Sequence, residues 1–458
     1  MSTCDLAVTR IARRAAALLL ALALAAASAE VAHAQNVVGG GFGRAVGGIS
    51  INPDGLLTNA SVDDQGQLRR VMLEALQRVP DGMKQPSGQR KVSLRRLDAA
   101  IQKALQSGKE LPDSIWCLAG LQQIRYVLVS PGQNDIVLVG PGEGWKVDQR
   151  GHVVGATSGR PVLLLDDLLV ALRAALSPNR AVITCSIDPS PEGIARLSRI
   201  SRKLSAANPE GAAATVEQEL GPQKITFTGV PETSHFARVL VAADYRMKRI
   251  SMDLEPAPIA GLPGFMQMMK AGGAGMSNML PRWWLAPNHQ PLLRDPEGLA
   301  WELRGAAVKA MAENDYVNAR GEREKTAAAD PVSQRWADTM TRRYEDLARA
   351  EPIFAELRNC MDLAIVGAVI ARGNLLSKAG CSLPMLTDAG ALGNTQLPAP
   401  KQIASKASLV HKGRKWMIAA GGVEINPWTF VEKAQSSDQL SGVRAQGAAA
   451  EGATWWWD

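Results

Sequence analysis

Arg125-Tyr126-Val127-Leu128-Val129-Ser130-Pro131-Gly132-Gln133-Asn134-Asp135-Ile136-Val137-Leu138-Val139 is the most regular stretch of the chain, and its reading sets the fold class. Two apolar runs rich in Val and Ile flank a Ser-Pro-Gly-Gln-Asn turn, which reads as a strand, a turn and a return strand. Gly140-Pro141-Gly142-Glu143-Gly144 breaks the pattern, and Trp145-Lys146-Val147 and His152-Val153-Val154 then flank a second polar turn.

Downstream, strand and helix signals alternate. Pro161 to Leu165 reads as a short strand, and Asp166 or Asp167 is suited to cap a helix over Leu168 to Leu176. Ala181 to Ile187 is a strand, Pro191 to Arg202 a helix, Ile225 to Phe227 a strand, and His235 to about Ile250 a helix. Upstream, Ile49 and Ile51 alternate before the turn Asn52-Pro53-Asp54-Gly55, as a hairpin or edge strand would. Helices follow over Gln65 to Val79 and over Ser93 to Gln106, with Ser93 as the N-cap of the second. Hairpins mixed with helices predict an α+β fold: an N-terminal mixed sheet with helices, then a β-hairpin and a helical C-terminal region.

The punctuation divides the chain into segments. Residues 35–260 form the α+β domain, closed by Glu255-Pro256-Ala257-Pro258. Residues 261–281 are a Gly/Met-rich connector. Residues 282–397 hold a hairpin (Trp283 to Leu285, Pro291 to Leu293, the turn Asp295 to Gly298, Leu299 to Leu303) and a helical pair. Residues 398–458 read as irregular apart from Trp416 to Ile418 and Val423 to Ile425. They end in an Ala/Gly-rich tail and three Trp expected to dock on the body.

Residues 1–34 read as a signal peptide. Arg10, Arg13 and Arg14 precede an Ala/Leu run from Ala15 to Ala27, and Ala32-His33-Ala34 is a small-x-small cleavage site, so the mature chain is expected to begin near Gln35. The expected location is the periplasm, the cell surface or the exterior, with no transmembrane segment in the mature chain. The formal charge of +7 on 458 residues is a mild excess that suits an anionic polymer or an envelope protein as partner. No nucleic-acid reader motif is present, so nucleic acid is not expected. Trp is frequent, at 11 against 4 Tyr and 6 Phe, so several indoles are expected half-buried with N–H partners. After the leader, Cys117, Cys185, Cys360 and Cys381 remain. An even count in an oxidising compartment suggests the disulfides Cys117–Cys185 and Cys360–Cys381, with buried free thiols as the alternative. No Cys/His spacing suits zinc.

The helix from His235 is the best candidate binding site. His235, Arg238, Tyr245 and Arg249 fall on one face, opposite Phe236, Val239, Leu240, Ala243, Met247 and Ile250. A His with two Arg suits a carboxylate or phosphate, and a solvated basic face is the plainer reading. Glu143, between two glycines and beside Trp145, would suit a loop acid next to an aromatic sugar platform. A turn residue is the plainer reading there. Met266, Met268, Met269, Met276 and Met279 have the softness for Cu(I) but serve equally as apolar filler. No metal or cofactor is expected. The Gly39 to Gly48 segment lacks the strand and helix of a nucleotide fingerprint, and no Gly-x-Ser-x-Gly, HExxH or P-loop occurs.

Several runs resemble an exported planctomycete family known as domain of unknown function 1598. They are 48–55, 133–145, 159–162, 185–189, 234–249, 294–302 and 357–362, including Gln133-Asn134-Asp135-Ile136-Val137-Leu138-Val139-Gly140-Pro141-Gly142-Glu143-Gly144-Trp145 and Ser234-His235-Phe236-Ala237-Arg238-Val239-Leu240-Val241-Ala242-Ala243-Asp244-Tyr245-Arg246-Met247-Lys248-Arg249. The resemblance implies an exported bacterial protein and supplies no activity. Two functions follow as expectations. One is a non-enzymatic envelope protein, binding or structural. The other is a secreted hydrolase for an anionic or glycan substrate, centred on His235, Arg238 and Arg249 or on Glu143.

Overall fold

Both strands of the opening hairpin form, as Tyr126–Ser130 and Asp135–Gly142, and they pair antiparallel from Tyr126 opposite Val139 to Ser130 opposite Asp135. The turn between them holds Asn134 at φ +50°, a left-handed position that Asn tolerates better than most residues. This pair is part of a six-stranded sheet in the order Gln435–Ser436, Leu293–Arg294, Ala300–Glu302, Tyr126–Ser130, Asp135–Gly142, Ser87–Ser93. The computed structural model describes residues 49–59, 79–200, 209–272, 281–305, 308–317, 323–325, 330–410, 415–447 and 456–457. The leader, the Gly39 to Gly48 segment, the helix expected from Gln65, Met276, Met279, His411 and Trp455 lie outside the described residues.

A nine-stranded sheet forms the other layer, in the order Ile49–Ile51, Leu56–Asn59, Gln402–Ile403, Gln223–Thr228, Ile183–Asp188, Ala420–Ile425, Pro281–Pro287, Val308–Val317, Arg323–Lys325. The architecture is α+β, and each sheet draws strands from distant parts of the chain. Pro281–Pro287 does not pair with the neighbouring hairpin. It lies parallel to Ala420–Ile425 and antiparallel to Val308–Val317, whereas the hairpin Leu293–Arg294/Ala300–Glu302 joins the other sheet. Pro161 makes only an isolated bridge to Val154, so the strand expected from Pro161 to Leu165 is replaced by an extended lead into the helix Leu165–Leu176.

Three helices fill the core beside the large sheet. His235–Ser251 lies against the strands Ile183–Asp188 and Ala420–Ile425, and Pro352–Arg372 packs on both it and Leu165–Leu176. Pro352–Arg372 is buried almost throughout, from Ile353 to Ile370, which explains why its sequence is apolar on all sides. Among the described residues no helix is long and apolar enough to cross a membrane. Gly367 lets this helix approach closely, since a Cβ there would stand 2.7 Å from the Ala171 carbonyl oxygen. The Met-rich connector contains a helix, Phe265–Gly272, whose Met266 and Met269 are buried beside Phe265 as apolar filler. Trp456 and Trp457 are half-buried on the strand Ser87–Ser93. The Ser93 N–H donates to the Trp456 carbonyl at 2.8 Å, and the Arg90 guanidinium stands 5.9 Å from the Trp457 ring centre.

The cysteines correct the disulfide expectation. Cys117, Cys185, Cys360 and Cys381 are free thiols, and neither Cys117–Cys185 nor Cys360–Cys381 is bridged. Cys185 sits inside the large sheet opposite Val423 and Phe227, while Cys117 follows the short helix Asp113–Trp116. Cys360 is inside a core helix, and Cys381 follows the helix Leu375–Ala379. Burial pushes all four thiols up, Cys381 to about 11, so they behave as small apolar residues rather than nucleophiles.

Candidate functional site

The helix His235–Ser251 forms where the sequence places it. Ser234 is its N-cap, with Oγ accepting the Ala237 N–H at 3.1 Å. Phe236, Val239, Leu240, Ala243, Met247 and Ile250 are buried, as the periodicity requires. The opposite face does not act as one surface. His235, Arg238, Tyr245 and Arg249 point in similar directions, but His235 and Arg249 are roughly 21 Å apart along the axis at ~1.5 Å per residue. They meet different neighbours.

At the first end, His235 is buried. Its Nδ1 lies 3.0 and 3.1 Å from the two carboxylate oxygens of Asp167, in the first turn of Leu165–Leu176. Burial pulls the imidazole pKa down, but attraction to Asp167, the shared hydrogen bond and the fields of Glu356 and Asp166 outweigh it, and the pKa rises to about 9. Asp166, expected as a cap alternative, instead accepts the Thr395 N–H at 3.1 Å. The N-cap position is Leu164, with no side-chain cap bond. Arg238 is also buried and donates to the Pro398 carbonyl at 3.3 Å, and burial lowers its pKa.

Two more pairs surround this end. His152 Nδ1 is 2.7 Å from Glu356 Oε1, and His289 Nε2 is 2.7 Å from Asp362 Oδ1. Burial opposes ionisation of Glu356, but His152, their hydrogen bond and His235 hold its pKa down. For His152, burial lowers the pKa, and Glu356 with Asp148 and Glu351 raises it by more. The result is a set of imidazole–carboxylate clasps: His235–Asp167 joins two core helices, while His152–Glu356 and His289–Asp362 tie loops to the helix Pro352–Arg372. His235, protonated and enclosed in this way, is not a general base near neutral pH.

At the second end, Tyr245 and Arg249 reach a cleft of about 260 Å³ between the helix and strands of the large sheet. Leu57, Ile187, Met252 and Ile403 give it apolar walls, and Lys248, Arg249 and Lys406 give it positive charge. Arg249 Nε donates to Glu255 Oε2 at 2.8 Å. Its outer nitrogens make only 3.4 Å bonds, to the Tyr245 hydroxyl and the Leu254 carbonyl. Burial lowers the Arg249 pKa, and bonds to Glu255 and Tyr245 raise it by more. Lys248 serves structure: its amine donates to Asp244 (2.7 Å), the Gly421 carbonyl (3.1 Å) and the Ile187 carbonyl (3.2 Å), which uses all three of its donors. Burial pushes the Asp244 carboxyl up to about 6 against the pull of Lys248. Lys406 faces Glu217 at 3.0 Å and is otherwise largely exposed.

Glu143 joins neither end. It is buried and turned inward, accepting from Gln122 Nε2 (2.9 Å), the Ser158 N–H (2.9 Å) and the Thr157 N–H (3.1 Å). Burial raises its pKa, but the bonds from Ser158, Gln122 and Thr157 outweigh it and hold the carboxyl at about 2. Trp145 is buried too, so the pair forms a loop clamp and not an open sugar platform. The loop needs Gly155, where a Cβ would lie 2.1 Å from the Glu143 carboxylate. Among the described residues no His, Cys, Asp and Glu cluster of three or more could hold a metal ion.

Sequence reasoning put Tyr245 and Arg249 on one face with His235 and Arg238, named Asp167 only as a cap or paired carboxylate, and missed Lys248, Lys406 and Glu356. One signal was available. Asp244 and Lys248, four apart, interrupt the apolar stripe of the helix, as a buried i,i+4 ion pair does. His235 and Asp167 are 68 residues apart, and no spacing rule finds such a pair.

A family model described as a protein of unknown function (DUF1598) matches residues 185–265. The match runs from Cys185 in the large sheet through the whole helix His235–Ser251. The similar runs at 48–55, 133–145, 159–162, 294–302 and 357–362 lie outside it. No curated protein and no solved structure matches the chain.

Proposed function

We propose that this chain is an exported envelope protein, of planctomycete origin, that binds a ligand and does not transform it. The leader pattern of residues 1–34 supports export. The observation that carries the binding reading is the cleft at Tyr245 and Arg249, which combines apolar walls with a cationic rim. The hydrolase reading loses support at both of its centres: His235 is enclosed with Asp167, and Glu143 is enclosed with Gln122 and Ser158.

Native mass spectrometry of the protein purified from its own envelope tests this. The expected spectrum shows a chain beginning near Gln35 with a non-covalent small-molecule adduct. A retained leader would overturn export. A bare chain at every collision energy would overturn ligand binding.

A further inference from the structure

The cleft has an asymmetry that specifies a ligand. Its walls are mainly apolar, and Arg249 and Lys406 line it with no acidic side chain among the described lining residues; their ion-pair partners, Glu255 at 2.8 Å and Glu217 at 3.0 Å, are not among the lining residues. Arg249 is the more telling of the two. A guanidinium has five N–H donors in a planar fork. Here Nε is committed to Glu255, and the outer nitrogens hold only two bonds of 3.4 Å, which a carboxylate can replace with shorter, charge-assisted ones. The Tyr245 ring lies 5.6 Å from the guanidinium carbon, within cation–π range. Lys248 cannot contribute in this way, because its donors are all used inside the fold.

Size narrows the class further. The cleft, at about 260 Å³, is smaller than the about 300–1,000 Å³ of sites for drug-sized molecules. We infer that the cleft binds a small amphipathic monoanion, a carboxylate on a short apolar chain, with the head group on Arg249 and Lys406 and the chain against Leu57, Ile187, Met252 and Ile403. This inference rests on the binding reading above and names the ligand class of that site.

Calorimetric titration of the full chain with octanoate, 1-octanol and octylamine tests it. Octanoate binds at least about tenfold more tightly than either uncharged octanol or cationic octylamine, the loss expected when a charge-assisted pair is removed. Arg249→Gln weakens octanoate by about tenfold and leaves octanol unchanged, while Arg249→Lys recovers part of the loss. Ala404→Trp, at an exposed wall position, fills the cleft and abolishes binding without disturbing the core. Equal binding of octanoate and octanol, or tighter binding of octylamine, overturns the anionic assignment. Octanoate binding that survives both Arg249→Gln and Ala404→Trp overturns the location. If none of the three binds, the ligand class is wrong. The broader binding reading is then judged separately, by whether an adduct carried from the envelope is lost in Ala404→Trp.

Discussion

The two ends of the helix His235–Ser251 present similar residue types and do opposite work. At the first, His235 and Arg238 are buried: His235 pairs with Asp167 of the helix Leu165–Leu176, and Arg238 donates to the Pro398 carbonyl of a loop. At the second, Tyr245 and Arg249 line a cleft, and the outer nitrogens of Arg249 make only 3.4 Å bonds, to the Tyr245 hydroxyl and the Leu254 carbonyl. The difference is one of depth. The first end lies under the helices Leu165–Leu176 and Pro352–Arg372, and the second lies beside the strands Leu56–Asn59 and Gln402–Ile403 of the large sheet. A charged side chain is a functional candidate only when the elements packed over it leave it room. An angular face defined over a long helix therefore overstates what its residues share.

The strongest way to break this comparison is Asp167→Ala. It leaves His235 buried without its carboxylate and is expected to cost about 3–5 kcal/mol in denaturant unfolding, while octanoate affinity in the protein that still folds is unchanged. A loss of less than 1 kcal/mol would show that the clasp does not hold the core. The pH dependence sharpens the same point. His235 has a folded pKa of about 9 against 6.5 for the free side chain, so its contribution, about 3 kcal/mol, is fully present below pH 6.5 and is lost as pH rises through 9. Chemical denaturation across that range should show the decline in the wild type and a flatter profile in Asp167→Asn.

Glu143 gives a smaller effect with the opposite sign. Its folded pKa is about 2, below the free value of 4.5, so its contribution is present above pH 4.5 and lost as pH falls through 2. Glu143→Gln is expected to cost about 1–3 kcal/mol, because the amide keeps an acceptor for only one of the Thr157 and Ser158 N–H groups and faces the other with an NH2, seen as faster amide exchange over residues 155–160. Arg249→Gln has the smallest effect on stability, under about 1 kcal/mol, because its partner Glu255 also holds Arg246 and the pair is partly solvated. A thermal shift much larger than that of Glu143→Gln would place Arg249 with the core half of the helix.

Much of the fold was legible where local signals and tertiary packing agree. The hairpin around Ser130 to Asn134, the Ser93 cap and the helix from His235 all follow from alternation, a turn or 3.6-residue spacing. The strand Ala420–Ile425 was only partly legible. Its Ala-Gly-Gly start has little strand propensity, yet it runs through the centre of the large sheet, where a Cβ at Gly422 would fall 1.8 Å from the Cys185 carbonyl oxygen. Pro281–Pro287 was visible as a strand, but its partner was not: the nearby Asp295 to Gly298 turn belongs to the other sheet. Of the candidate site, the sequence showed the helix and its basic residues. It could not show which of them are covered, because Asp167 and Glu356 come to His235 from distant segments. The cysteines misled for a related reason, since an even count says nothing about which thiols the fold places together.

The most direct test of the divided helix is hydrogen–deuterium exchange read peptide by peptide, with and without saturating octanoate. The account predicts slower exchange over residues 245–254 and 402–406 on ligand addition, and no change over 235–241 or 165–176. Protection concentrated at His235 and the Leu165–Leu176 helix, with none at Arg249, would contradict it.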